Sequence, residues 1–151
     1  MYVTWSELFE IGIPKIDAEH RHLTGIVNAF HDVVSAGEAR GKVFAVLNLL
    51  TQYVEIHFRN EEALMEAGKY PGLLAHRREH ERLTVQIFEL AERYEAGAAQ
   101  ITTAVMDFLK NWLLDHILQE DRKIGEYFRG REVPAAWRAD ADESVRGCVG
   151  S

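Results

Sequence analysis

Seven polar side chains interrupt the apolar faces of this chain, and they do so at helical spacing: His20, then His57 with Glu61, then His76 with His80, then His116 with Asp121. Each lies in a stretch whose hydrophobic residues recur every three or four positions, the period of an amphipathic helix. Five imidazoles and two carboxylates on core-facing positions constrain the fold strongly. A buried carboxylate without a partner costs several kcal/mol and is neutralised instead. Whatever architecture the chain adopts must therefore bring these seven groups to something that compensates them.

Four helical segments follow from the period: about 17–36, 42–67, 72–96 and 100–128. Asp17, which follows Pro14, is the expected N-cap of the first. The connections are short and rich in breakers, including Gly37, Gly41, Gly68, Pro71, Gly72 and Gly97. Short connections between long helices favour antiparallel neighbours. The expected fold is all-α, an up-down-up-down antiparallel four-helix bundle spanning residues 1–128. Residues 1–16, with Trp5, Phe9, Ile11 and Ile13, form an extended segment expected to pack on it. Residues 129–151 carry Pro134 and several glycines and charges, and are expected to be a weakly ordered tail.

Spacing and height both bring the seven together. Residues four apart share a helix face, so His57 pairs with Glu61 and His76 with His80. At 1.5 Å per residue, all seven fall roughly 5–18 Å from the same end of an antiparallel bundle. His116 and Asp121 are five apart, about 140° around an ideal helix. They would serve two metals, or a metal and a bridge, or the helix is distorted locally. A mutually satisfied polar network is one account of the cluster. A dinuclear metal centre compensates it better, because one metal takes no more than about six ligands. Imidazole with carboxylate suits iron best, with zinc and manganese also compatible. His22 points about 200° away from His20, and His31 lies roughly 16 Å further along the helix, so neither is read as a ligand. Glu62 and Glu120 adjoin ligand positions but point off the site direction and are read as solvated.

Composition narrows the function classes. The net charge is −7, with 17 basic and 24 acidic residues in 151, which argues against nucleic-acid binding. Cys148 is the single cysteine, so no disulfide forms within one chain. No secretory signal is read at the N-terminus and no apolar run spans a bilayer. A cytoplasmic monomer without membrane insertion is expected.

At these positions the sequence resembles the hemerythrin family, most of all its single-domain bacterial members, the bacteriohemerythrins. The phrases that carry the resemblance are Ile11-Gly-Ile-Pro-Lys-Ile-Asp-Ala-Glu-His20, His57-Phe-Arg-Asn-Glu61-Glu62-Ala-Leu-Met65, Tyr70-Pro71, His76-Arg-Arg-Glu-His80 and Trp112-Leu-Leu-Asp-His116-Ile-Leu-Gln-Glu-Asp121. The match runs over about residues 5–128. It implies a non-haem centre of two iron ions joined by an oxo or hydroxo bridge. His76, His80 and His116 would hold one iron, His20 and His57 the other, and Glu61 and Asp121 would bridge both. Dioxygen would bind reversibly at the open position of the two-histidine iron. Leu23, Phe58, Leu113 and Ile117, each beside or one turn from a ligand, are the expected lining of the oxygen pocket. An apolar lining restricts water and protons. Trp112 is read as packing, and no side chain is placed as a general acid.

Three uses compete. The first is a dioxygen carrier, store or scavenger rather than an enzyme. The second is an oxygen, redox or nitric-oxide sensor acting through a redox or signalling partner. The third is a di-iron oxidase or peroxidase. The ferritin-like di-iron pattern needs two Glu-x-x-His motifs, and only Glu19-His-Arg-His22 matches it.

Overall fold

A computed structural model of the chain describes residues 2–138. Its described residues form helices and no strands, arranged as a four-helix bundle. The helices are α1 (Pro14–Ser35), α2 (Arg40–Ala67), α3 (Leu73–Glu95) and α4 (Thr103–Asp115). The fourth continues through a π-helical turn, His116–Asp121, into α5 (Arg122–Phe128). Single 3₁₀ turns flank the bundle at Glu7–Phe9 and Ala135–Trp137.

Local chemistry explains the ends. Helix α1 starts three residues before the expected cap, with Pro14 in its first turn and Ile13 as N-cap. Asp17 is therefore no cap. Its carboxylate reaches back to accept hydrogen bonds from the backbone N–H groups of Ile11 (2.7 Å) and Gly12 (3.1 Å). Helices α1 and α3 both end on a left-handed glycine, Gly37 at φ 68° and Gly97 at φ 76°. The following N–H groups close back on the last turn, Glu38 to Val33 O and Ala98 to Arg93 O, which satisfies carbonyls that a helix end otherwise leaves open. Thr102 caps α4 by accepting from the N–H of Val105 at 3.2 Å.

Two apolar clusters fill the interior. The larger runs through Leu23, Phe30, Leu47, Val54, Leu83, Ile87, Leu109 and Leu113. The smaller, Ile13, Ile16, Leu64, Met65, Ile124 and Phe128, closes the other end. Three of the polar residues fall between the two along their helices, His20 between Ile16 and Leu23, Glu61 between Phe58 and Leu64, Asp121 between Ile117 and Ile124, while His57 and His116 sit at the edge of the larger. The seven groups thus form a polar layer sealed above and below by hydrocarbon.

The segment after α5 departs from the expected loose tail as far as it is described. Val133 and Trp137 pack on the smaller cluster, and the Trp137 indole donates to Asn60 O at 3.2 Å. Residues 139–151, with Cys148, lie outside the described residues.

At the N-terminal side, Gly125 lets the chain pass close to α5. A Cβ there would sit 2.2 Å from Ile11 O and 2.9 Å from Ile11 Cβ. Gly125→Ala must therefore displace backbone. We expect it to cost about 1–3 kcal/mol and to lower the thermal midpoint by on the order of 5 °C. A circular-dichroism melt checks this, and an unchanged midpoint would mean that residues 11–13 are not held against α5.

Candidate metal centre

The polar layer draws one or two side chains from each of the four helices. Helix α1 contributes His20, α2 His57 and Glu61, α3 His76 and His80, and the fourth helix His116 and Asp121. The π turn answers the question left by the five-residue spacing. It makes hydrogen bonds five residues back, as from the Arg122 N–H to Ile117 O, so it accommodates one extra residue per turn. His116 and Asp121 then face the same interior, with Nε2 and Oδ1 3.0 Å apart.

The donor atoms fall into two groups. His76, His80 and His116 form one with Glu61 and Asp121, and His20 and His57 form the other with the same two carboxylates. Glu61 divides its oxygens between them. Its Oε1 lies 3.1 Å from His80 and 3.5 Å from His76, whereas Oε2 lies 3.1 Å from both His20 and His57. Asp121 does the same, with Oδ1 beside His76 (3.1 Å) and His116 (3.0 Å) and Oδ2 beside His20 (2.9 Å). Both carboxylates are fully buried, 0% exposed.

Hydrogen bonding accounts for only part of this crowding: His20 Nε2 pairs with Glu61 Oε2 at 3.1 Å, but other atoms of the layer are left over. Nε2 of His57 and of His76, Oε1 of Glu61 and both oxygens of Asp121 are buried with no hydrogen-bond partner. Nε2 of His80 faces Nε2 of His116 at 3.1 Å, a pairing in which at most one nitrogen can donate. Donor atoms gathered this closely, with so many left unpaired, could hold metal ions. The residues fit a pair of metal ions.

Electrostatics point the same way. Burial works against charge on His20, His57, His76 and His80, but the carboxylates outweigh it. Glu61 with Glu19 pushes His57 up to about 10, and Asp121 with Glu61 pushes His76 up to about 10. His20 and His80 also rise. Burial opposes charge on Glu61 as well, yet His57, His20 and His76 hold it well below the usual carboxylate range. Asp121 is lowered too, by His116 and His20 against burial and the nearby Glu61. The layer is a strongly coupled set of charges that cations can replace protons in.

Beside the polar layer, bordered by one histidine of each group, lies a small cavity of about 10 Å³, lined by Leu23, Val54, Phe58, Trp112, Leu113 and Ile117 with His57, His116 and Asp121. A cavity needs roughly 10–15 Å³ to hold one water, so this one has room for about a single water-sized molecule. The four residues expected to line a pocket are among its walls, and Val54 and Trp112 join them.

Outside the seven, His31 stacks on Tyr2 at 4.0 Å and His22 lies 4.5 Å from Tyr53. Glu120 turns to Lys123 at 3.4 Å. Glu62 departs from its solvated reading: it takes the Nδ1 side of His80 at 3.1 Å and the Arg77 guanidinium at 3.0 Å. Glu19 does the same for His57, at 2.7 Å. Sequence reasoning missed both. The available signal was only adjacency, since Glu19 precedes His20 and Glu62 follows Glu61. One residue along a helix turns a side chain by about 100°, toward the neighbouring helix and its histidine.

Comparison with known proteins agrees with this geometry. Residues 11–128 match the family described as the hemerythrin HHE cation binding domain. The chain is 30% identical over 124 residues to the bacteriohemerythrin of Methylococcus capsulatus, covering 82% of this chain and 94% of that one. It is 33% identical over 120 residues to the bacteriohemerythrin of Stenotrophomonas maltophilia, covering 80% and 77%. Myohemerythrin-1 of Phascolopsis gouldii is 32% identical over 120 residues, covering 79% and 88%. A crystal structure of a wild-type hemerythrin superposes with a TM-score of 0.78 at 30% identity, covering 82% of this chain and 95% of that one. No helix among the described residues is long and apolar enough to cross a membrane. A helical bundle with a two-part His/Glu/Asp cluster, matched along most of its length by these relatives, belongs to the hemerythrin family.

Proposed function

We propose that this protein binds dioxygen reversibly at a di-iron centre held by the seven residues of the polar layer. The observation that carries the reading is the division of the Glu61 and Asp121 oxygens between two histidine groups. His76, His80 and His116 would hold one iron, and His20 and His57 the other, with Glu61 and Asp121 bridging. The two-histidine iron would have one imidazole fewer and so the open position, and His57, like His116 of the other group, borders the apolar cavity. An iron pair would supply two electrons and a coordination position for dioxygen.

The chain's own residues favour binding over turnover. Every titratable side chain on the cavity wall, His57, His116 and Asp121, is itself one of the seven. None is left to deliver a proton to a bound molecule. Leu23, Phe58, Leu113 and Ile117 form the oxygen pocket, where hydrocarbon excludes water and limits oxidative loss.

The test is the visible spectrum of the protein, reduced without air and then exposed to it, with iron counted on the same sample. A charge-transfer band that appears with air and disappears when oxygen is removed, at two irons per chain, supports the proposal. Direct conversion to a stable oxidised spectrum would reject it in favour of a sensor or an oxidase. Leu113→Ser should hasten decay of the oxygenated form by on the order of tenfold, about 1.4 kcal/mol of barrier. An unchanged decay rate would remove Leu113 from the pocket.

A further inference from the structure

The two histidine groups are not supported alike from behind. His57 Nδ1 meets Glu19 Oε1 at 2.7 Å, and the other Glu19 oxygen accepts from the neutral Asn60 amide at 2.8 Å. Glu19 is only 3% exposed. His80 Nδ1 meets Glu62 Oε2 at the longer distance of 3.1 Å, and the other Glu62 oxygen accepts from Arg77 Nε at 3.0 Å. The Glu62 side chain is 21% exposed. Nδ1 of His20 and of His116 has no partner.

From this contrast we infer that Glu19 and Glu62 are positioning residues that make the two metal positions unequal, Glu19 strengthening His57 as a donor more than Glu62 strengthens His80. The inference rests on the reading that a metal pair occupies the layer. A carboxylate behind a ligand imidazole fixes the tautomer that leaves Nε2 free and raises its basicity. How far it does so depends on how much of its charge the imidazole receives. Glu19 is buried, where charge is little screened, and its second partner is neutral. Glu62 shares its charge with a guanidinium and with water. The group with only two imidazoles therefore has the more strongly supported one. Arg77 acts through Glu62 in the opposite sense, weakening His80 by drawing the carboxylate toward itself.

Zinc serves as the probe, titrated into the metal-stripped full-length chain against a competing chelator. Wild type should take two zinc ions in separable steps, assigned by His20→Ala, which removes one, and His116→Ala, which weakens the other. Glu19→Gln preserves shape and should weaken the His20/His57 step by roughly 10–100-fold. Glu62→Gln should weaken the other step by less than about tenfold. Arg77→Gln should tighten that same step, a change of sign that loss of a merely structural contact does not give. The wild-type protein supplies a check free of substitution: in the zinc form the Nδ1 proton of His57 should resonate further downfield than that of His80. Equal effects of Glu19→Gln and Glu62→Gln, weakening by Arg77→Gln, or the reverse order of the two proton resonances would overturn the inference while leaving the metal pair intact. Failure of the wild type to take two metals would instead overturn the metal-pair reading, and this inference with it.

Discussion

Stripping the metals from the purified protein should lower its melting midpoint by on the order of 10 °C, and returning them should restore it. Binding to the folded state alone contributes about 4 kcal/mol when free metal exceeds Kd a thousandfold. A domain of this size shifts by about 2–4 °C per kcal/mol. The metal-free chain should nonetheless stay folded, unlike small metal-dependent domains whose core is the metal site. Two apolar clusters remain on either side of the layer. Protonated His57 and His76, both raised to about 10, can also pair with Glu61 and Asp121. Relaxation should concentrate in the fourth helix, where the π turn keeps His116 and Asp121 facing inward. Paired melts with and without chelator, with hydrogen exchange over residues 116–128, measure both effects. An unchanged midpoint after verified metal removal would mean that the seven residues are satisfied as a polar network.

That layer was legible in the sequence because its signal is local and repeated. His57 with Glu61 and His76 with His80 are four apart, and each pair interrupts an apolar stripe that otherwise fixes the facing of its helix. Counting along four antiparallel helices then put all seven at one height. What was not legible depends on tertiary contact. The five-residue spacing of His116 and Asp121 left a local distortion of the helix as one of three readings, but nothing in Ile117-Leu-Gln-Glu120, which holds neither glycine nor proline, selects it. The turn is set by the requirement that both flanking residues reach the interior. Asp17 had the composition of a cap, but the proline three residues earlier already began the helix. Glu62 read as solvated, and Glu19 was given no role at the site, because helical period says only which face a residue takes, not which histidine waits on the adjoining helix. Trp137 stood in a stretch of glycine, proline and charge, and its anchor on Asn60 O is 77 residues away.

Replacing Glu61 with alanine should cost the centre more than loss of any single histidine, because Glu61 is a member of both groups. One Glu61 oxygen faces His76 and His80 and the other faces His20 and His57. Its removal would take a ligand atom from each metal at once and leave Asp121 as the one carboxylate shared by the two histidine groups. Breaking a buried charge network by removing one partner costs about 3–5 kcal/mol, or roughly a thousandfold in affinity. Metal content should fall from two ions per chain to below one, whereas His20→Ala should lose one ion and keep the other. Glu61→Gln separates charge from shape: it fills the same space and can still offer one oxygen, so it should retain more metal than the alanine variant. Elemental analysis of the three variants after equilibration at one free-metal concentration, with helix content checked by circular dichroism, measures this order. Two metals bound to a folded Glu61→Ala protein would refute the bridging role. An equal loss from His20→Ala would instead mean that the two positions fill only together, with neither group able to hold its ion alone.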